Sequence, residues 1–212
     1  MKKNKKTTGI LAAILIVLVV IVAAIIIVFS VRGKKKSTES TTETIDAAGK
    51  HHVEIQVKNY GTIKVELDGD TAPITVANFL KLAQNGFYDG LTFHRIIDGF
   101  MIQGGDPKGN GTGGSDETIK GEFSGNGVEN NISHVRGTIS MARSQDMDSA
   151  SSQFFIVQSD CTYLDGQYAA FGTVTEGMDL VDKICKDTPV QDNNGTVSAA
   201  DQPVIESIKV ID

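Results

Sequence analysis

Residues 9–31, GILAAILIVLVVIVAAIIIVFSV, run for 23 positions without a charge. At about 1.5 Å rise per residue, a helix of that length crosses roughly 30 Å of hydrocarbon with some tilt. The run is apolar on every face and flanked by lysines, which argues against a helix buried in a protein core. A cleaved signal peptide has an apolar core of about 7–15 residues that ends at a small-x-small site. Here the core is longer, its exit is bulky (Ile-Val-Phe-Ser-Val-Arg), and no cysteine directly follows to accept a lipid. The segment reads as one uncleaved N-terminal transmembrane signal anchor over 9–31, behind a basic N-terminus at 1–8.

Charge separates the anchor from the rest. Eight of the 20 Lys and Arg fall within residues 1–36, where there is no acid; the other 176 residues set 12 basic against 26 acidic groups, a net of −14. A surface that acidic repels phosphate backbones, which excludes nucleic acid as a partner. Four lysines precede the span and four basic residues follow it, nearly a tie under the positive-inside comparison. The short basic N-terminus favours staying inside, and long domains translocate largely regardless of charge. The expected arrangement is a single-pass cell-membrane protein with its acidic domain outside the cytoplasm.

Residues 32–50 form a polar linker whose Ser37–Thr44 stretch cannot bury enough apolar surface to order itself. Fully extended, residues 37–50 reach at most about 46–50 Å, the length of a tether. Residues 51–212 remain as one domain with a real core. Its two cysteines, Cys161 and Cys185, are too few for a disulfide framework; one bridge and two separate thiols both stay open.

Within the domain Val53, Ile55 and Val57 alternate with polar residues, Tyr60-Gly61 turns the chain, and Ile63, Val65 and Leu67 alternate again, which predicts a hairpin. Pro73 opens a helix, capped near Thr71 or Ala72, with Val76, Phe79, Leu80 and Ala83 as its buried stripe and Gly86 past its end. Short strands are expected at Thr92–Ile97, Phe100–Gln103, Thr138–Ala142, Gln153–Gln158, Ala170–Val174 and Val204–Ile211, with a second helix at Met178–Lys186. The pattern is mainly β, a closed barrel or sandwich with helical caps.

The stretch Phe93–Asp106, FHRIIDGFMIQGGD, holds the residues most suggestive of chemistry. Strand alternation puts Arg95 on the face of Phe93 and Ile97, a cation among apolar neighbours that is either exposed, paired or functional. Gly99 and Gly104-Gly105 suggest sharp bends or close backbone approach beside it. Spacing alone names no reaction.

This stretch, with Gly137–Ala142 (GTISMA), Ser152–Ile156 (SQFFI), Tyr163–Gly166 (YLDG) and Phe171–Met178 (FGTVTEGM), resembles the cyclophilin-type peptidyl-prolyl cis-trans isomerases across His51–Asp212. The resemblance implies a closed eight-stranded antiparallel β-barrel capped by two α-helices, and an isomerase acting on proline-containing segments of unfolded or partly folded proteins without metal or cofactor. It assigns Arg95 as the catalytic arginine and Phe100, Met101, Phe155 and Leu164 to the proline pocket. Gln103 matches the glutamine near the substrate proline, Ala142 and Arg143 sit where backbone pairs with the peptide, and Gln153 belongs to the same surface. Tyr163 stands where many members carry tryptophan and Tyr168 where many carry histidine. Tyrosine keeps an aromatic wall but loses the indole N–H, so cyclosporin affinity is expected to be weakened. Arg143–Ser151 also differs from the family in length.

Other signals point to no chemistry. Gly109–Gly114 lacks the Lys and Ser/Thr of a phosphate cradle. His51 and His52 read as solvated, His94 faces away from Arg95, and His134 has no ligand partner at metal spacing. Asp146 and Asp148 lack a calcium-loop pattern, and Asn110, Asn131 and Asn194 begin glycosylation sequons. Two rivals to the isomerase reading are a proline-peptide binding module with little turnover and an acidic assembly scaffold.

Overall fold

The computed structural model describes residues 46–212. The expected anchor at 9–31, the basic N-terminus and the linker up to residue 45 lie outside the described residues. Among the described residues no helix is long and apolar enough to cross a membrane.

Eight strands and two helices make up the domain: β1 (Lys50–Val57), β2 (Gly61–Asp68), α1 (Pro73–Gln84), β3 (Phe93–Ile97), β4 (Met101–Gly104), β5 (Thr138–Met141), β6 (Phe154–Val157), β7 (Ala170–Glu176), α2 (Met178–Asp187) and β8 (Ile205–Val210). The predicted hairpin forms in register, Val53 opposite Val65 and Ile55 opposite Ile63, so both alternating apolar rows enter the core together. At the turn Asn59 takes a φ of 67°, a left-handed conformation that asparagine tolerates better than most residues.

Helix α1 begins at Pro73 as expected, and Val76, Phe79, Leu80 and Ala83 are its buried row. Ala72 occupies the N-cap but has no side chain to cap with. The buried Glu122 does so from a distant loop, its carboxylate accepting from the backbone N–H groups of Ile74 and Thr75 at 3.0 and 2.7 Å. Phe79 then packs against Tyr88, Phe154 and Phe171 at centroid separations of 5.1–5.4 Å.

All strand pairs in the sheet are antiparallel, in the order β3-β4-β6-β5-β7-β2-β1-β8. The sheet curls, but the expected closed barrel does not form, because no ladder joins β3 to β8. The seam holds one bridge, Thr92 opposite Val204, with Phe93 N–H donating to Pro203 O at 2.9 Å and Ile205 N–H to Leu91 O at 2.7 Å. Two causes limit it. Pro203 has no N–H to extend a ladder, and the rest of the β3 edge is taken by the loop 194–197. There Ile96 N–H donates to Gly195 O at 2.8 Å and Val197 N–H to His94 O at 3.0 Å.

Strand alternation sorts the core into two clusters. In β6, Phe154 and Ile156 enter the main core between the sheet and α1, while Phe155 and Val157 enter a smaller cluster with Met101 and Cys161. Ile97, Phe100, Ala142, Leu164 and Tyr168 pack on this second cluster. Cys161 and Cys185 are both buried and both free, so there is no bridge. Burial pushes their thiols up, to about 11 and about 12.

Candidate active site

A bulge in β3 sets the position of Arg95. The pairing shifts between Phe93 opposite Gly104 and Arg95 opposite Gln103, so His94 is an extra residue with no partner on β4. Phe93 remains in the main core, whereas Arg95 and Ile97 turn to the face of the second cluster. The expected shared face of Phe93 and Arg95 is therefore incorrect. A bulge inserts one residue and re-aims the side chains that follow, which strict alternation does not anticipate.

A cavity of about 210 Å³ lies over the second cluster. It is lined by Arg95, Phe100, Met101, Gln103, Ala142, Arg143, Phe155, Leu164 and Tyr168. Strands β3 and β4 bring Arg95, Met101 and Gln103; β6 brings Phe155; the turn before β4 brings Phe100. Ala142 and Arg143 follow β5, and a single 3₁₀ turn at Thr162–Leu164 delivers Leu164. Two of the expected residues stand outside the cup. Tyr163 is 65% exposed on the rim, its ring 6.2 Å from that of Phe100. Gln153 lines a neighbouring cavity of about 340 Å³ and reaches the cup only through Gln103.

One hydrogen-bonded line orders the polar side. Arg95 donates from Nε to the backbone oxygen of Asn194 at 2.9 Å, from Nη2 to Asn194 Oδ1 at 3.3 Å, and from Nη1 to Gln103 Oε1 at 3.1 Å. Gln103 Nε2 donates to Gln153 Oε1 at 2.9 Å, and Gln153 Nε2 to Gly113 O at 2.7 Å. Each amide has one orientation compatible with its neighbours, so the guanidinium is fixed from both sides. Burial lowers its pKa from the usual arginine value, but an arginine stays charged throughout the working range.

The Arg143 side chain turns away from the cup's centre. Its guanidinium lies 4.8 Å from the centroid of Tyr168 and 5.1 Å from that of Phe123, and donates to Gln167 O at 2.8 Å and Ser144 O at 2.8 Å. It ties the loop after β5 to the segment that carries Tyr168, so its side chain supports the wall.

Three supporting residues escape a reading of the sequence. Asn194 is seen there only as a sequon, and nothing local links it to Arg95, 99 positions away. His134 is fully buried and stacks on Phe155 at 6.0 Å. Its Nδ1 meets Asp165 Oδ1 at 2.8 Å and its Nε2 meets Ser140 Oγ at 2.9 Å. Burial lowers the His134 pKa against the opposing pull of Asp165. Burial acts to raise the Asp165 pKa, but hydrogen bonds from Ser133 and His134 outweigh it and leave it below the usual range. His94 is buried too, and it lines a cavity together with Arg95 instead of facing away from it.

Residues 52–210 match the family described as cyclophilin type peptidyl-prolyl cis-trans isomerase/CLD. A probable peptidyl-prolyl cis-trans isomerase of Brucella suis is 41% identical over 179 residues, covering 79% of this chain and 87% of that protein. Peptidyl-prolyl cis-trans isomerase B of Bacillus subtilis is 51% identical over 118 residues, covering 56% and 79%. Among solved structures, a cyclophilin type peptidyl-prolyl cis-trans isomerase of Cryptosporidium parvum superposes with a TM-score of 0.68 at 30% identity, covering 77% of this chain and 99% of that one. The same protein solved in the presence of the dipeptide Ala-Pro gives 0.67 at 32% identity, covering 76% and 99%. Sequence, fold and the lining of the cup agree: the chain belongs to the cyclophilin-type peptidyl-prolyl cis-trans isomerase family.

Proposed function

We propose that this chain accelerates rotation about X–Pro bonds in unfolded or partly folded proteins, with Arg95 as the catalytic group. An X–Pro bond is held planar by resonance, with a barrier of about 18–20 kcal/mol, and turns over tens to hundreds of seconds unaided. Rotation breaks the conjugation and localises a lone pair on the proline nitrogen. A cation aimed at that nitrogen stabilises the twisted bond more than the planar one, which lowers the barrier. The chemistry calls for no nucleophile and no proton transfer. Every ~1.36 kcal/mol of such differential stabilisation is worth about tenfold in rate.

The observation that carries this reading is the fixed guanidinium at the edge of an apolar cup. Phe100, Met101, Phe155 and Leu164 suit a pyrrolidine ring, and Gln103, held between Arg95 and Gln153, presents an oriented amide beside it. Ala142 and Arg143 offer backbone at the cup's margin, and Tyr163 and Tyr168 complete its aromatic rim. The charge-free run at 9–31 supports a single-pass anchor. The isomerase domain would then work outside the cytoplasm at the end of a short tether, on secreted or surface proteins.

Magnetisation-exchange NMR on a short proline peptide tests the catalytic assignment, comparing the full-length chain with Arg95→Ala. Exchange should fall by about 10²–10³ in the variant, the scale seen when one electrostatic donor is removed, while peptide affinity holds within a few-fold. Wild-type binding with exchange at the uncatalysed rate would instead establish a proline-peptide binding module. Membrane fractionation of the chain with and without residues 9–31 tests the anchor.

A further inference from the structure

Beyond the proline cup, on the other side of Arg95, lies a larger cavity of about 680 Å³. The two cavities share Arg95 and Gln103 as their common wall, so a chain seated in one runs directly into the other. Three features of this cavity are independent of the cup.

Its lining carries the cations Arg95 and Lys108 and no Asp or Glu, on a domain whose net charge is strongly negative. Lys108 forms no salt bridge among the described residues. Two carboxylates outside the lining, Asp106 and Asp192, stay charged and are held by donors of their own loops. Asp106 accepts from the backbone N–H groups of Lys108, Asn110 and Gly111, and Asp192 from the N–H and hydroxyl of Thr196.

The lining also holds free donors, since several of its carboxamide oxygens are engaged. The carboxamide oxygens of Asn110, Asn194 and Gln202 accept from Thr112, Arg95 and Thr92 respectively. The hydroxyls of Thr196 and Ser198 donate outward, to Asp192 and Asp201. Donors that face the cavity uncommitted among the described residues are the amide nitrogens of Asn110 and Asn194 and the Lys108 ammonium, beside the Gln191 carboxamide, which can donate or accept.

The third feature is His94. The bulge that turns Arg95 toward the cup leaves this imidazole 96% buried on the cavity wall, with neither ring nitrogen hydrogen-bonded. A buried polar group without a partner is destabilising and rare in native folds. Its Nε2 lies against Gly111, where an added Cβ would already be in van der Waals contact with it at 3.8 Å. Both nitrogens are shielded from solvent, so a ring N–H would reach a ligand only after a shift of the neighbouring Gly111.

We propose that this cavity is a side-chain subsite for an acidic residue, Asp or Glu, lying within a few positions of the substrate proline. The proposal rests on the isomerase reading and adds a substrate preference to it: X–Pro bonds in acidic surroundings are turned over fastest. Lys108 is the specificity-determining residue.

The test uses the full-length chain and proline peptides carrying Glu or its neutral isostere Gln at each position from three before to three after the proline. Affinity and catalysed exchange are both measured. Glu should be preferred over Gln about fivefold or more at one position, the scale of a partly exposed ion pair reinforced by hydrogen bonds to a charged group. The preference should shrink in high salt and vanish in Lys108→Ala, each variant's Gln peptides serving as its own reference. Equal handling of Glu and Gln at every position, or a preference that survives Lys108→Ala, overturns the subsite. A Glu preference in binding without catalysed exchange keeps the subsite and sinks the isomerase reading, so the two fail separately.

Discussion

Glu122 holds the start of helix α1 from 47 residues away, its Oε2 accepting from both the N–H and the hydroxyl of Thr75 at 2.7 Å. The other oxygen takes the N–H of Ile74, so one buried carboxylate satisfies three donors at the positive end of the helix dipole. Replacing it by Ala strands all three. Glu122→Ala should cost about 2–4 kcal/mol, combining a lost cap with lost charge-assisted bonds. Urea denaturation reads this as a lower midpoint at unchanged slope. A loss below about 0.5 kcal/mol, the level of an ordinary surface substitution, would mean that water caps the helix equally well.

Asn194 is expected to act as a positioning residue for Arg95. Asn194→Ala keeps the backbone oxygen at 2.9 Å from Nε and removes the Oδ1 acceptor of Nη2. Losing one such bond should lower kcat about three- to fivefold with KM unchanged. Asn194→Asp restores an acceptor and should recover the rate. A rise in KM at constant kcat would place Asn194 in binding instead.

Acid should weaken the fold before the carboxylates titrate. Burial lowers the pKa values of His94 and His134 from the usual histidine value. Below about pH 6.5 the unfolded chain therefore takes up protons that the native protein refuses. The stability due to these groups is complete above that pH and is lost as pH falls toward the lower native values. Asp106, Asp165 and Asp182 lie below the usual carboxylate range and come into play only in stronger acid. The urea midpoint should drop between about pH 7 and 5, and His94→Leu should show a distinctly shallower drop. An identical pH dependence in wild type and variant would remove His94 from this account.

Tyr163 is the position to test for cyclosporin. Its exposed ring leans on Phe100 at the rim but offers no indole N–H. Tyr163→Trp should tighten cyclosporin binding by about tenfold, the equivalent of one added hydrogen bond, with proline-peptide turnover little changed. Equal affinities by calorimetric titration would show that the rim does not control the drug.

What the sequence discloses follows the range of the forces involved. The β1–β2 hairpin and the α1 stripe are legible because Val53, Ile55, Val57 and Val76, Phe79, Leu80 repeat at the spacing of their own elements. The cup is legible because all of its lining but Arg143 and Tyr168 falls within short motifs, and nine of the eleven expected residues line it. Glu122, Asn194 and His134 act across long stretches of chain and leave no local periodicity. The bulge at His94 is hidden for a related reason: the inserted residue is defined by its partner strand, so FHRII alone reads as plain alternation. The barrel fails to close for the same kind of cause, since the 194–197 loop claims an edge that no pattern in β3 reserves.

The placement of β1 in the sheet has a mechanical consequence. Lys50 and His51 pair with β2 alone, His52 also accepts from Ile211 N–H and donates to Asp212 Oδ1 just past β8, and from Val53 onward the strand is laddered on both sides, to Val65 of β2 and Val210 of β8. Force arriving through the chain before Asp46 would peel Lys50 and His51 one rung at a time and then stall at His52 and Val53, where bonds on both sides must yield together. Arg95 and the cup belong to β3, β4 and β6, which share no rung with β1. Tension on the N-terminal end is therefore borne by strands that do not build the cup.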